Sequence, residues 1–254
     1  DRVDSLGLQL DSRWSFSSGR LRVIAGAEAY YDQVDSTLEE GDSATAFELV
    51  PQNRGNFSQD SSFLSTGAFL NIAASVLEFG NQGRIRASAG TRFSYFAAHA
   101  PNVPDFGDID YSFSGLVGSA SVQWIQSRTS NLYFSFNQGF RAPNLQETTT
   151  LGDTGSKFEI PNENLNPESA NSYELGIKMR SPSLRLHAAL FYTTLTDTIT
   201  ETTSTYNDQT DMDGKPVVQR INAGSGVIRG LEVSTVVPWG NLSFDVVANI
   251  IEAD

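Results

Sequence analysis

Stretch after stretch of this chain alternates apolar and polar residues with a period of two. From Leu21 to Asp32 the odd positions are Leu21, Val23, Ala25, Ala27, Ala29 and Tyr31, and the even ones include Arg22, Gly26, Glu28 and Asp32. From Arg84 to Phe96, Ile85, Ala87, Ala89, Thr91, Phe93 and Tyr95 alternate with Arg84, Arg86, Ser88 and Arg92. Tyr173, Leu175, Ile177 and Met179 interleave with Glu174, Gly176, Lys178 and Arg180. Leu184, Leu186, Ala188, Leu190 and Tyr192 interleave with Arg185 and His187, and Leu242, Phe244, Val246, Ala248 and Ile250 with Ser243, Asp245 and Asn249. A period of two places alternate side chains on opposite sides of an extended backbone, so each run is a strand with two unlike faces. Ten such segments are expected, at roughly 5–16, 21–36, 62–79, 84–98, 111–126, 131–142, 171–180, 184–201, 217–237 and 242–252. The expected class is all-β and antiparallel.

The connections sort by length. Short ones fall at Ser17–Arg20, Gly80–Gly83, Ser127–Ser130, Ser181–Ser183 and Pro238–Asn241, and long ones at about 37–61, 99–110, 143–170 and 202–216. Tight turns at one end and extended loops at the other are the plan of a transmembrane β-barrel. A soluble sandwich has less reason to sort its loops. Several strands exceed the roughly 9–11 residues that cross hydrocarbon, so they should project on the long-loop side. Trp14 and Trp124 lie just before short turns and Trp239 within one, which places all three at one interface as an aromatic girdle. An Arg or Lys facing mid-bilayer costs roughly 2–4 kcal/mol. Arg22, Arg84, Arg86, Arg92, Lys178 and Arg185 all fall on the parity opposite the apolar set, so that face is read as a hydrated lumen. Two residues resist. Glu78 shares parity with Val76, near a short turn from which it can reach water. Arg229 shares parity with Leu231 and Val233, where either a bulge resets the register or the strand has left the membrane.

Composition narrows the chemistry. The 254 residues carry 17 basic and 30 acidic side chains, a formal charge of −13. That excludes a nucleic-acid grip by bulk electrostatics and argues against docking on anionic lipid. With no Cys, disulfide scaffolds, Cys-type zinc sites and thiol catalysis are excluded. His99 and His187 are the two histidines, and neither has a motif partner within five residues. No Ser/His/acid set at motif spacing and no phosphate-binding Gly loop is present, so no enzyme and no cofactor is expected. Asp208, Asp211 and Asp213 precede Gly214, but the spacing fits no EF-hand and reads as a solvated acidic turn. No run of 18 apolar residues exists, so no helix is expected to span a bilayer.

Four boxes carry a resemblance. Gln138-Gly139-Phe140-Arg141-Ala142-Pro143-Asn144 is similar to the strand-exit "GFRAPN" box of TonB-dependent outer-membrane receptors, the siderophore-, haem- and cobalamin-type transporters. Asn162-Glu163-Asn164-Leu165-Asn166-Pro167-Glu168 resembles the box that returns from the outer loop, and Glu174-Leu175-Gly176-Ile177-Lys178 the strand after it. Asn222-Ala223-Gly224 with Gly230-Leu231-Glu232 resembles a later strand. The likeness spans most of the chain and is sharpest over 131–236. It implies an antiparallel barrel of about 22 strands around an N-terminal plug, of which residues 1–254 would supply about ten strands as a partial barrel domain. The chain starts without the apolar stretch of a signal peptide and stops at Ile251-Glu252-Ala253-Asp254 without a closing aromatic. An internal piece of a larger receptor, lacking plug and closing strands, is therefore expected.

The implied function is energised uptake of a scarce nutrient across the bacterial outer membrane, an iron–siderophore complex first. The implied partners are outer-membrane lipid and the TonB–ExbB–ExbD complex, the latter acting through the plug; no nucleic acid is expected. Candidate ligand contacts are Arg141 and Asn144 at the strand exit, Glu147, Lys157 and Phe158 in the 143–170 loop, and Tyr206 in the next. Arg141 can hold an anionic chelate by charge-assisted hydrogen bonds or brace the loop against lumen carboxylates. Some haem importers carry a His between the two boxes; residues 144–161 hold none, which lowers the haem reading. Competing readings are a passive channel or adhesin barrel and a soluble extracellular β-sandwich, neither of which needs the boxes.

Overall fold

In a computed structural model of the chain, residues 2–37, 39–41, 49–51, 57–80 and 83–254 are described. Ten strands form one sheet in strict chain order: β1 (Arg2–Phe16), β2 (Leu21–Asp35), β3 (Ser61–Glu78), β4 (Arg84–Val103), β5 (Gly107–Ile125), β6 (Ser130–Arg141), β7 (Glu168–Ser181), β8 (Leu184–Thr196), β9 (Gly226–Trp239) and β10 (Leu242–Ala253). Every neighbouring pair is antiparallel. The wall is open, with β1 and β10 as its two edges.

Residues directly opposed in an antiparallel ladder point to the same side, so the register decides the faces. Trp124 lies opposite both Ile85 and Leu132. The row continues from Leu132 to Ile177, Ala188, Val233 and Ala248. The row one residue away runs Arg86, Gln123, Tyr133, Gly176, Ala189, Glu232. The apolar face is not covered: Leu8, Leu10, Leu116, Leu190, Val246 and Ile250 are all more than half exposed. Leaving a large aliphatic side chain in water forgoes roughly 1.5–3 kcal/mol of burial. A continuous exposed apolar face opposite a charged one is stable only against hydrocarbon, which is the arrangement of a transmembrane barrel wall. Trp14, Trp124 and Trp239 are exposed near the short-turn end; Trp239 is the last residue of β9 rather than part of the turn.

The resistant acid resolves by register and the resistant base by its height on the strand. A bulge at Val76, between the pairs Ser75–Arg86 and Leu77–Ile85, puts Glu78 opposite Arg84 on the lumen side, and Glu78 meets Arg20 at 3.1 Å. The bulge therefore lies on β3 and not beside Arg229, where the β8–β9 register is unbroken. Arg229 instead sits near the outer end of β9, flanked by Tyr192 and Glu252, and pairs with Glu252 at 2.9 Å. At 14 residues β9 is longer than the membrane requires, so Arg229 stands above the hydrocarbon.

The loops are more ordered than their composition suggests. The stretch 99–110 is a tight hairpin, because β4 runs to Val103 and β5 starts at Gly107. The expected strands 184–201 and 217–237 each break in two. Asp197 (φ 55°) ends one, and Gly224 (φ 117°) interrupts the other, since both adopt the left-handed conformation that closes turns. The pieces beyond the breaks, Ile199–Thr203 and Lys215–Asn222, leave the wall and join Phe158–Ile160, Gly152–Asp153 and Asp211–Met212 in a second, five-stranded sheet. Phe158–Ile160 pairs with Lys215–Asn222 in parallel. A two-stranded piece pairs Glu39–Gly41 with Leu49–Pro51, and the rest of the long 37–61 connection falls partly outside the described residues, as do Asn81 and Gln82 of the short turn at 80–83.

The dry core sits at the outer mouth. One cluster joins Ala100, Val103 and Ile109 of the wall to Ile160 and Val217 of the second sheet and to Leu151 just before it. Another joins Val34, Ala98 and Tyr111 of the wall to Leu145. Ala98, Ala100, Ile109 and Tyr111 share the lumen face by register. The long loops thus fold inward as a cap over the upper lumen.

Candidate functional site

The cap is anchored where β6 ends. Pro143 lacks an N–H and fixes its φ, so it cannot extend the ladder. Asn144 then caps a one-turn helix, α1 (Leu145–Thr149). Asn144 Oδ1 accepts the Glu147 N–H at 2.9 Å, and Glu147 Oε2 accepts the Asn144 N–H at 3.0 Å, a reciprocal capping box. The same Glu147 carboxylate accepts Arg141 Nη1 at 2.7 Å. Arg141 Nε donates to Glu168 Oε2 at 2.6 Å, and Glu168 Oε1 accepts the Ile199 N–H at 2.7 Å. One guanidinium therefore ties the strand exit, the helix, the returning strand and the outer hairpin together. Arg141 Nη2 has no hydrogen-bond partner among the described residues, and the side chain is 46% exposed.

The electrostatics follow. The hydrogen bonds that Arg141 donates to Glu168 and then to Glu147 push it further above its ordinary value. The Arg141 hydrogen bond holds the Glu168 carboxyl below its ordinary 4.5, with the Ile199 N–H helping and burial opposing. A carboxyl lowered on folding stabilises fully above its ordinary value and loses that contribution as pH falls through the lowered one. The anchor should therefore loosen on acidification below pH 4.5. Amide-exchange protection at Leu145–Thr149 and Ile199 should fall in that window, and Glu168→Gln should remove the pH dependence. An unchanged profile in that variant would show that another carboxyl governs the anchor.

Of the other predicted residues, Phe158 lies in the second sheet, Lys157 just before its strand, and Tyr206 in the loop between Ile199–Thr203 and Asp211–Met212. Lys157 pairs with Glu201, which also lies 3.6 Å from Arg220. Phe158 stacks on Tyr206 with centroids 5.4 Å apart, and Tyr206 donates its hydroxyl to Asp105 on the β4–β5 hairpin. Both rings pack on the core that joins cap to wall. The six predicted residues thus form two groups: Arg141, Asn144 and Glu147 as one network, and Lys157, Phe158 and Tyr206 as parts of another. A cavity of about 520 Å³ beside the strand exit is lined by Phe113, Gln138, Phe140, Asn166, Pro167 and Asp197 among others, and by none of the six.

Sequence reasoning missed the partners. Glu168 was read only as the end of a box, and Glu159, Glu201 and Arg220 not at all. Arg220 Nε donates to Glu159 Oε1 at 2.7 Å, and the Glu159 side chain is 2% exposed. The return box also has a mechanical meaning. Asn166 and Asn222 exchange hydrogen bonds at 2.8 and 2.9 Å, and Asn162 Nδ2 donates to the Arg220 carbonyl at 2.8 Å. The helix start was legible, because Asn144-Leu145-Gln146-Glu147 has capping-box spacing.

Neither histidine faces the lumen at the mouth. His99 is on the outward row, opposite Ser62 and Asp110, with Nδ1 2.8 Å from the Asp110 carboxylate. His187 lies deep in the lumen, with Nε2 2.8 Å from the Tyr133 hydroxyl. Asp211 accepts the Gly214 N–H at 2.8 Å, and Asp208 and Asp213 take positive φ, so this acidic segment is a turn. No group of three His, Asp or Glu is placed to hold a metal among the described residues.

Residues 1–251 match the family model described as TonB dependent receptor-like, beta-barrel. Among curated proteins, "Hemoglobin-haptoglobin utilization protein B" of Neisseria meningitidis serogroup C is 26% identical over 180 residues, covering 62% of this chain and 22% of the relative. Among solved structures, "Copper transporter OprC" superposes with a TM-score of 0.75 at 17% identity, covering 99% of this chain and 37% of that one. The Serratia marcescens hemophore receptor HasR, in complex with its hemophore HasA and heme, gives a TM-score of 0.74 at 17% identity, covering 98% and 42%. The chain thus spans less than half the length of each. By its family match, its outward apolar face and its polar lumen, the chain belongs to the TonB-dependent receptors, as barrel wall in the bacterial outer membrane.

Proposed function

We propose that the chain is the wall and outer cap of a receptor that imports an iron–siderophore complex, energised by TonB–ExbB–ExbD through a plug in the lumen. The observation that carries the reading is the cap itself: ordered outer loops fold over a charged lumen, which suits capture at the mouth and release below. Arg141 offers its remaining donor, Nη2, to an anionic chelate, while Asn144 and Glu147 hold it in place. Lys157, Phe158 and Tyr206 shape the cap that closes over the cargo.

A haem cargo is the second reading, favoured by the names of the meningococcal relative and of the HasR complex. Against it, no imidazole of the described residues faces the lumen at the mouth: His99 stands at that height on the outward row, and His187 lies deep. The test is growth of a deletion strain carrying the full-length gene on ferric siderophores, haem and haemoglobin as sole iron sources, with and without TonB. Siderophore-specific, TonB-dependent growth is expected. Growth on haem alone would transfer the reading to haem, and equal growth on every source would remove uptake altogether.

A further inference from the structure

The outward face changes character row by row toward the outer end. Leu10, Ala27, Ala68, Phe93 and Leu116 form one cross-strand row from β1 to β5, apolar throughout. The next row up, Leu8, Ala29, Thr66, Tyr95 and Ser114, is mixed, as is the one above it, Leu6, Tyr31, Leu64, Ala97 and Ser112. The row above that, Asp4, Gln33, Ser62, His99 and Asp110, is polar throughout. All four rows share the parity of Trp124 near the short turns. Leu116 stands 8 residues above Trp124 along β5, and Asp110 stands 14. At about 3.4 Å per residue and a tilt of roughly 40°, these are heights of about 21 and 36 Å, against an apolar band about 25 Å tall. Composition and geometry both put the outer edge of the hydrocarbon at the Tyr95 row, with His99 and Asp110 about 10 Å above it.

An open depression of about 430 Å³ straddles that edge. Leu64 and Ala97, directly opposed, lie in its middle, with Tyr31 beside them on β2, Tyr95 below, and His99 and Asp110 above. His99 Nδ1 lies 2.8 Å from the Asp110 carboxylate, yet the two side chains stay 44% and 76% exposed. A girdle tyrosine anchors a barrel without any concavity. Here an apolar centre, two aromatic rings and a few placed polar groups converge, which is the make-up of a small-molecule site.

Its occupant has to bridge hydrocarbon and water at the outer leaflet, which in a bacterial outer membrane is built of glycolipid. Charge selects the part of that lipid. The four rows contain Asp4 and Asp110 but no Lys or Arg. Arg2, one row higher at the edge of the wall, is taken by Asp4 at 2.9 Å. A phosphate would be repelled. A neutral sugar offers hydroxyls to the imidazole–carboxylate pair, Ser62 and Ser112, and a C–H face to a tyrosine ring.

We propose that this depression binds a neutral sugar of an outer-leaflet glycolipid, held against the outside of the barrel rather than imported through it. The proposal rests on the membrane placement of the wall and not on the cargo.

The test uses the full-length receptor, stripped of lipid in detergent, with bound molecules counted by native mass spectrometry. The probes are intact outer-membrane glycolipid, the same lipid cut back to its phosphorylated anchor, and the core oligosaccharide released from it. Wild type should retain the intact lipid at least fivefold over the anchor. Tyr31→Ala with Tyr95→Ala should bring the two within twofold of each other. So should Ala97→Phe, which fills the depression and removes no native group, while Tyr31→Phe with Tyr95→Phe should keep the preference. Equal retention of intact lipid and anchor by wild type would overturn the proposal and assign the face to acyl chains. Tighter retention of the anchor by Asp110→Lys, with the wild-type preference absent, would assign it to phosphate. Free oligosaccharide binding as tightly as intact lipid would assign it to a soluble glycan, and an unchanged preference in Ala97→Phe would place the sugar elsewhere; each of these also overturns it.

Discussion

Replacing Glu159 with alanine should release the outer cap from the barrel wall. Its carboxylate is 2% exposed and receives Arg220 Nε at 2.7 Å. That hydrogen bond, ahead of the charges of Glu159 and Glu201, raises Arg220 above its ordinary value. Arg220 stays charged at every accessible pH, so deleting Glu159 leaves a cation in a mostly dry setting. Removing one member of a buried pair costs about 3–5 kcal/mol. The lower end applies here, because Arg220 is 26% exposed and keeps Glu201 at 3.6 Å. Glu159 also sits in the middle of Phe158–Ile160, the strand paired in parallel with Lys215–Asn222. The loss should therefore appear as faster amide exchange in 152–160 and 199–222, with β2 to β8 unaffected. Glu159→Gln keeps an acceptor but loses the charge, so a smaller loss is expected. Equal exchange in wild type and Glu159→Ala would show that the apolar cluster around Val217 and Ile160 holds the cap by itself. Because Phe158 and Tyr206 pack on the cluster that joins this sheet to the wall, a loosened cap should also weaken cargo capture.

The wall was legible because one repeating signal wrote it many times over. A period of two has a single structural meaning, and Leu242-Ser243-Phe244-Asp245-Val246 states it as plainly as Arg84-Ile85-Arg86-Ala87. A one-residue slip in register would turn Leu190 to the lumen and Arg185 to the lipid, so each strand's pattern also fixes its pairing. The cap had no such signal. Its strands are two to eight residues long, too short for periodicity to emerge. The break at Gly224 follows from a φ of 117° that other neighbours could have left unused. The Glu159–Arg220 and Asp105–Tyr206 contacts join residues 61 and 101 positions apart, and nothing local announces such a pair. Arg141 shows the intermediate case. Its place at the mouth follows from parity and from the box around it, and so does the alternative that it braces the loop. That it meets Glu147 depended on a helix that only the Asn144–Glu147 spacing hinted at, and that it meets Glu168 depended on the β6–β7 register.

Two glycines from the family-like boxes should respond in opposite ways to a side chain. Both stand at lumen-facing positions, Gly139 in β6 and Gly230 in β9. A Cβ on Gly230 would run into the Ile250 carbonyl oxygen and come within 2.7 Å of the Phe191 ring. The ring can turn away, but the carbonyl belongs to the β9–β10 ladder and cannot move without opening it. Forced overpacking costs about 1–3 kcal/mol, and the upper end is expected for Gly230→Val because the obstacle is backbone. A Cβ on Gly139 meets nothing within 4 Å. There the only change is the lower chain entropy of the unfolded state, worth about 0.5–1 kcal/mol in favour of Gly139→Ala. Denaturant unfolding of the full-length receptor in micelles should separate the two by about 3 kcal/mol or more. Similar losses for both would mean that these glycines are kept for something other than the space around Cβ. At Gly139 that something would have to lie in the lumen, since no described atom stands within 4 Å of the Cβ position.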